Sequence, residues 1–186
     1  SSSNGYIDDG WSLSIATGPI VTLSVSPNSV MEDGTTNLLY TFTRTGSTSS
    51  SLMVNYSVAG TATVGTDYTG ITGTPATINF AAGSATATVT VDPTTDSSVE
   101  ADETVVLTLL AGTDYTVGTS GGVLGTIVND DVLPVITLAV NPASVAEDGI
   151  GNLIYTFSRK GDTTTSLTVN YSVAGTATVG TDYTGI

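Results

Sequence analysis

Ser84-Ala85-Thr86-Ala87-Thr88-Val89-Thr90-Val91 is the stretch that decides the architecture. In an extended chain Ala85, Ala87, Val89 and Val91 share one side and the hydroxyls take the other. That is the period of a strand with one buried and one wet face. The same alternation groups Leu38, Tyr40 and Phe42, and again Val54, Tyr56 and Val58. Thr and Val dominate, and both suit a pleated surface. No helical period runs through any long segment. Seven strands are predicted, over 20–26, 36–44, 52–59, 74–80, 85–91, 104–110 and 123–128. Turn residues separate them, at Pro27-Asn28, Gly46, Gly60, Ala81-Ala82-Gly83, Asp92-Pro93, Gly112 and Gly121-Gly122. The expectation is an all-β, seven-stranded antiparallel immunoglobulin-like sandwich. A small closed barrel is the alternative.

The chain also copies itself. Residues Thr22 to Ile71 recur as Thr137 to Ile186, 115 positions on and without a gap, with 37 of 50 positions identical. From Tyr56 to Ile71 the copy is letter for letter. A period this long marks a repeated domain, because solenoid turns run only ~20–50 residues. The predicted organisation is a leader over 1–19, a complete domain over 20–131, a linker over 132–134 and the first three strands of a second domain over 135–186. In the leader, Trp11-Ser-Leu-Ser-Ile15 alternates apolar and polar residues. It reads as a linker or preceding strand, or else as a strand donated to another molecule. In the second domain Tyr155, Phe157, Val169, Tyr171 and Val173 are left partly wet. Either the chain continues or a neighbouring molecule completes that domain.

Composition narrows the function. There are 17 acidic residues against Arg44, Arg159 and Lys160, a net charge of −14. Such a surface repels nucleic acid and anionic lipid and favours cations. Cysteine and histidine are both absent. That removes disulfides, thiolate zinc sites and the usual general base. No apolar run approaches the ~18 residues of a membrane helix. Ser1-Ser-Ser-Asn-Gly5 does not read as a signal peptide, so a targeting signal is expected outside this stretch. With no nucleophile–base pair, no phosphate-binding Gly loop and one tryptophan, an enzyme is not expected. Asn55-Tyr-Ser57 and Asn170-Tyr-Ser172 match the glycosylation pattern but fall inside a strand.

The acids are not spread evenly along the strand order. Antiparallel strands reverse direction, so alternate connections share a pole. Glu32 and Asp33, then Asp67, then Asp96, Glu100, Asp102 and Glu103, then Asp130 and Asp131 all fall at one pole, nine acids in total. The other pole, 47–51, 81–83 and 112–122, carries Asp114 alone. Carboxylates gathered this way repel one another, and a hard divalent cation relieves them. Calcium, with about six to eight oxygen ligands and tolerance of irregular geometry, suits loops better than magnesium. Zinc and copper would call for the missing nitrogen and sulfur ligands. No EF-hand or nonapeptide calcium loop is present.

The same residues carry a family resemblance. Val30-Met-Glu-Asp-Gly34, Tyr56-Ser-Val-Ala-Gly-Thr-Ala-Thr-Val-Gly-Thr-Asp-Tyr68, Ile78-Asn-Phe-Ala-Ala-Gly83, Asp96-Ser-Ser-Val-Glu-Ala-Asp-Glu103 and Gly125-Thr-Ile-Val-Asn-Asp-Asp131 together resemble a Calx-beta domain. The resemblance implies a sandwich holding Ca2+ at one pole. It implies Glu32, Asp67, Asp96, Glu100, Glu103, Asp130 and Asp131 as metal ligands, for one or two ions. Asn129 stands where calcium-binding members often have a third closing aspartate, and Ala101 where an acid is common. The second copy keeps Glu147 and Asp182.

The expected function is a calcium-binding structural repeat of an extracellular or cell-surface protein, in adhesion, matrix or filament. Its partners would be neighbouring repeats or other copies of the protein. Calcium would stiffen the junction, because Asp131 is followed at once by Val132-Leu-Pro134. The alternative is a subunit of a self-assembling fibre in which a neighbour completes the second domain.

Overall fold

Alternation along the chain is what the sheets express. A computed structural model describes residues 18–185, and among these every regular element is a strand. The Trp11–Ile15 segment lies outside the described residues. The described chain divides into two compact units, one holding residues 18–96 with 101–130, the other 97–100 with 131–185.

The first unit has β1 (Ile20–Val25), β2 (Ser29–Met31), β3 (Leu38–Thr45), β4 (Leu52–Gly60), β5 (Tyr68–Thr69), β6 (Ala76–Phe80), β7 (Thr86–Pro93), β8 (Glu103–Leu109), β9 (Thr116–Val117) and β10 (Val123–Val128). They form two five-stranded sheets, ordered β5-β7-β3-β1-β9 and β2-β10-β8-β4-β6. The sheets pack as a sandwich, with Leu38, Tyr40, Phe42, Val89 and Val91 from one and Val54, Tyr56, Phe80, Val105 and Leu107 from the other all buried. Phe42 and Tyr56 meet across the interface with ring centroids 5.2 Å apart. Burying a side chain of this size stabilises by about 1.5–3 kcal/mol relative to exposure.

All seven predicted strands occur, but three short ones add to them, and pairing is not antiparallel throughout. The predicted first strand is β1, which pairs with β3 in one sheet and ends at the expected turn. Beyond Ser26-Pro27-Asn28 the chain crosses to the other sheet as β2, one of the added strands. There β2 runs parallel to β10, with Val30 opposite Ile127. At the other end β1 runs parallel to β9. Both exceptions arise because one stretch of chain serves the edges of two sheets.

The second unit contains β11 (Val135–Asn141) and β12 (Ile154–Lys160), an antiparallel pair in the register of β1 and β3. The predicted third strand, the counterpart of β4, does not form over residues 166–174. In the first unit β4 is held by β6 and β8, and among the described residues no such neighbours flank 166–174. An extended segment without either ladder has nothing to satisfy its backbone groups. The Phe157–Tyr171 ring pair persists at 5.3 Å, although both rings are exposed.

Candidate metal centre

Four connections deliver the acids. Glu32 follows β2 directly and is buried, with only 6% of its surface exposed. Its N–H donates to Val128 O at 2.9 Å, which carries the β2–β10 pairing one residue further. The next N–H, of Asp33, donates to Asp130 Oδ1 at 3.3 Å. On the β8 side, Asn129 N–H donates to Asp102 Oδ1 at 3.2 Å. The start of β8, the end of β2 and the residues after β10 are thereby drawn together.

Asp67 is set by a tight turn. Its Oδ2 accepts from Thr63 N–H at 2.5 Å, and its own N–H donates to Thr63 O at 2.9 Å. The turn is tied to β8 through Thr61 and Thr104, each backbone N–H donating to the other's hydroxyl. Gly60 permits this approach: its φ is +132°, and a Cβ there would lie 2.0 Å from Thr104 O. Thr94 N–H closes the other side by donating to Asp67 O at 2.9 Å. Burial, then the Asp67 carboxylate beside it, pushes the Tyr68 phenol above its ordinary pKa.

The result is two groups of three carboxylates. Glu32, Asp96 and Asp131 offer oxygens within 4.8 Å of one another, and so do Asp67, Glu100 and Glu103. Six of the seven expected ligands are therefore gathered, in two sets. Asp130 is in neither set and instead caps the Asp33 N–H. Two unit charges this close repel by about 3–4 kcal/mol at an effective dielectric near 20. The donor atoms are all oxygen, the chemistry of a hard cation. Close by, Thr94 Oγ1 is buried with no hydrogen-bond partner among the described residues, an added neutral oxygen beside Asp67. The residues thus fit calcium.

The sequence matches the Calx-beta domain family over residues 15–124 and again over 129–186. The chain belongs to the Calx-beta family. Among solved structures it is similar to an apo-form Calx CBD1 domain, at 23% identity and TM-score 0.49, over 61% of this chain and 99% of that one. It is also similar to CBD12 from CALX1.2, at 22% identity and TM-score 0.48, over 62% of this chain and 48% of that one. A third is the calcium binding domain CBD12 of CALX1.1, at 24% identity and TM-score 0.45, over 59% of this chain and 45% of that one. No curated protein matches.

One feature of this Calx-beta chain escaped the sequence reading. Arg44 is buried at the pole away from the acids, 4% exposed, above the Phe80 ring. Its signal was in plain view, since Leu38, Tyr40, Phe42 and Arg44 alternate onto one face. Thr94 likewise carried no charge or motif to mark it.

Proposed function

We propose that this Calx-beta chain is a calcium-binding structural repeat of an extracellular or cell-surface protein, in adhesion, matrix or filament building. The observation that carries this reading is the convergence of six carboxylates, from four separate connections, into two oxygen-lined triads. Glu32, Asp96 and Asp131 would hold one ion, and Asp67, Glu100 and Glu103 another. Bound calcium supplies the positive charge that offsets carboxylate repulsion. The protein's part is to hold the oxygens together with the β2–β10 ladder, the Thr63–Asp67 turn and the Thr61–Thr104 tie.

Asp131 is the last residue before Val132-Leu-Pro134, and β11 begins at Val135. A cation held there pins the point from which the connection departs, and so stiffens the junction. Neighbouring repeats, or other copies of the protein, are the partners this implies. The charge of −14 disfavours nucleic acid and anionic lipid. No helix of the described residues is long and apolar enough to cross a membrane. Nothing in this reading calls for catalysis.

An affinity of about 10⁻⁴–10⁻³ M would suit an extracellular module. Calorimetric titration of chelator-stripped protein tests the proposal: up to two saturable calcium sites are expected, and no binding heat at ~10 mM calcium would defeat it. A second reading is a fibre subunit whose second domain is completed by a neighbour. Sedimentation across a concentration series separates the two, because a monomer at every concentration excludes the fibre.

A further inference from the structure

Asp67 and Thr94 face each other across the ladder that β5 makes with β7. The ladder pairs Thr69 with Asp92 and Tyr68 with Pro93, so the next opposed pair is Asp67 and Thr94. Thr94 N–H donates to Asp67 O at 2.9 Å, which carries the ladder that one residue further. Directly opposed residues of an antiparallel pair put their side chains on the same side, with Cβ atoms about 4.5–5.5 Å apart. The Thr94 hydroxyl therefore lies on the side of the Asp67 carboxylate, within reach of a group that this carboxylate holds.

That hydroxyl oxygen is buried and has no hydrogen-bond partner among the described residues. A hydroxyl can donate one bond and accept others, and burying it unmet is costly. The carboxylate opposite is already partly engaged, since Asp67 Oδ2 accepts from Thr63 N–H. Asp67 belongs to the triad with Glu100 and Glu103. Calcium takes about six to eight oxygens, and three carboxylates approach that number only if each binds through both of its own. A fourth acid would add repulsion. A neutral oxygen fills the shell without it.

We propose that Thr94 Oγ1 is a neutral ligand of the cation held by the Asp67 triad. The inference rests on the calcium reading of that triad and adds to it a residue that carries no charge. The hydroxyl oxygen gives a lone pair to the ion, and its proton is free to bond to a carboxylate oxygen of the same set. Thr94 suits this role because its branched side chain is stiff, with a single torsion to set the oxygen. The bond from Thr94 N–H to Asp67 O fixes how far apart the two ligands start. The pairing of β5 with β7 thus builds one edge of the site before any ion arrives.

The test uses the whole chain and calcium alone as ligand. It compares Thr94→Val, which keeps the branched shape and loses the oxygen, with Thr94→Ser, which keeps the oxygen. Titration should show one site of Thr94→Val weakened about three- to tenfold, with Thr94→Ser within about twofold of the parent. In chelator Thr94→Val should melt no lower than the parent, because the unmet hydroxyl has gone. Terbium in place of calcium gives a second readout. Its luminescence lifetimes in light and heavy water report bound waters, and Thr94→Val should admit a water where the hydroxyl stood. Parental affinity and hydration in Thr94→Val overturn the proposal and leave the carboxylate triad standing, the hydroxyl then being met by water alone. A loss in Thr94→Ser equal to that in Thr94→Val overturns it too. A parent that binds no calcium removes the reading beneath the proposal as well, so the parent's own titration tells the two failures apart.

Discussion

The Tyr40 hydroxyl donates to the Val105 carbonyl at 2.6 Å, joining a strand of one sheet to a strand of the other through the middle of the sandwich. Val105 lies two residues beyond Glu103, so this bond also fixes the strand that carries one of the candidate ligands. Tyr40→Phe keeps the ring but leaves the carbonyl without this donor. The expected loss is about 1–2 kcal/mol in chemical denaturation, with an unchanged denaturant dependence. A variant as stable as the parent would show that the bond contributes nothing net.

Alkaline pH should weaken the fold through the same residue. Burial pushes the Tyr40 phenol up to about 12, the Gly125 backbone hydrogen bond partly opposing it, and Tyr56 and Tyr68 are raised in the same sense. In the unfolded chain a tyrosine ionises near pH ~10. Between these values the unfolded state has lost a proton that the folded state retains. The stabilisation is therefore complete below pH ~10 and is lost as pH rises toward about 12, by roughly 3 kcal/mol for Tyr40. Denaturation midpoints from pH 9 upward check this, and Tyr40→Phe should flatten the decline.

Gly125 makes room for that hydroxyl. A Cβ at this position would lie 2.6 Å from Tyr40 Oη and 2.7 Å from Leu38 Cδ1. The backbone φ is not the obstacle, since Gly125 is not among the positive-φ glycines. Gly125→Ala should destabilise by about 1–3 kcal/mol through overpacking, read as a lowered melting temperature. It should lose much of its effect when combined with Tyr40→Phe, because one of the two clashing atoms is then gone.

Calcium should raise the thermal midpoint and chelator should return it. Glu32→Gln and Glu103→Gln each remove one charge from a different triad. Each should weaken calcium binding by about tenfold or more, while raising stability in chelator because a like charge has gone. Asp114→Asn, at the opposite pole, serves as the control and should leave calcium binding unchanged. Titrations giving the same affinity for all three variants would count against the triads as ligands.

Asp130→Asn separates capping from ligation. Asp130 Oδ1 accepts the Asp33 N–H and belongs to neither triad. An asparagine retains that acceptor, so calcium affinity should change by less than about threefold, whereas Asp131→Asn should lower it about tenfold. The reverse order would return Asp130 to the ligand set.

Strand existence was legible because a period of two decides which face each side chain takes, whatever it later packs against. The segregation of acids by pole followed from strand order alone, and the 115-residue repeat was visible letter by letter. Three things depended on the folded chain. The crossing of β1 into β2 and the parallel edges it makes arise from competition between two sheets for one segment, which no local pattern records. Adjacent Asp130 and Asp131 look alike in sequence, yet one caps a backbone amide and the other joins a triad, a choice set by which distant segments each meets. Residues 54–60 form a strand while the identical residues 169–175 do not, since a strand takes its stability from ladders to distant segments. Local sequence thus determined which residues could lie together on a face, and tertiary structure decided which of those faces found a partner.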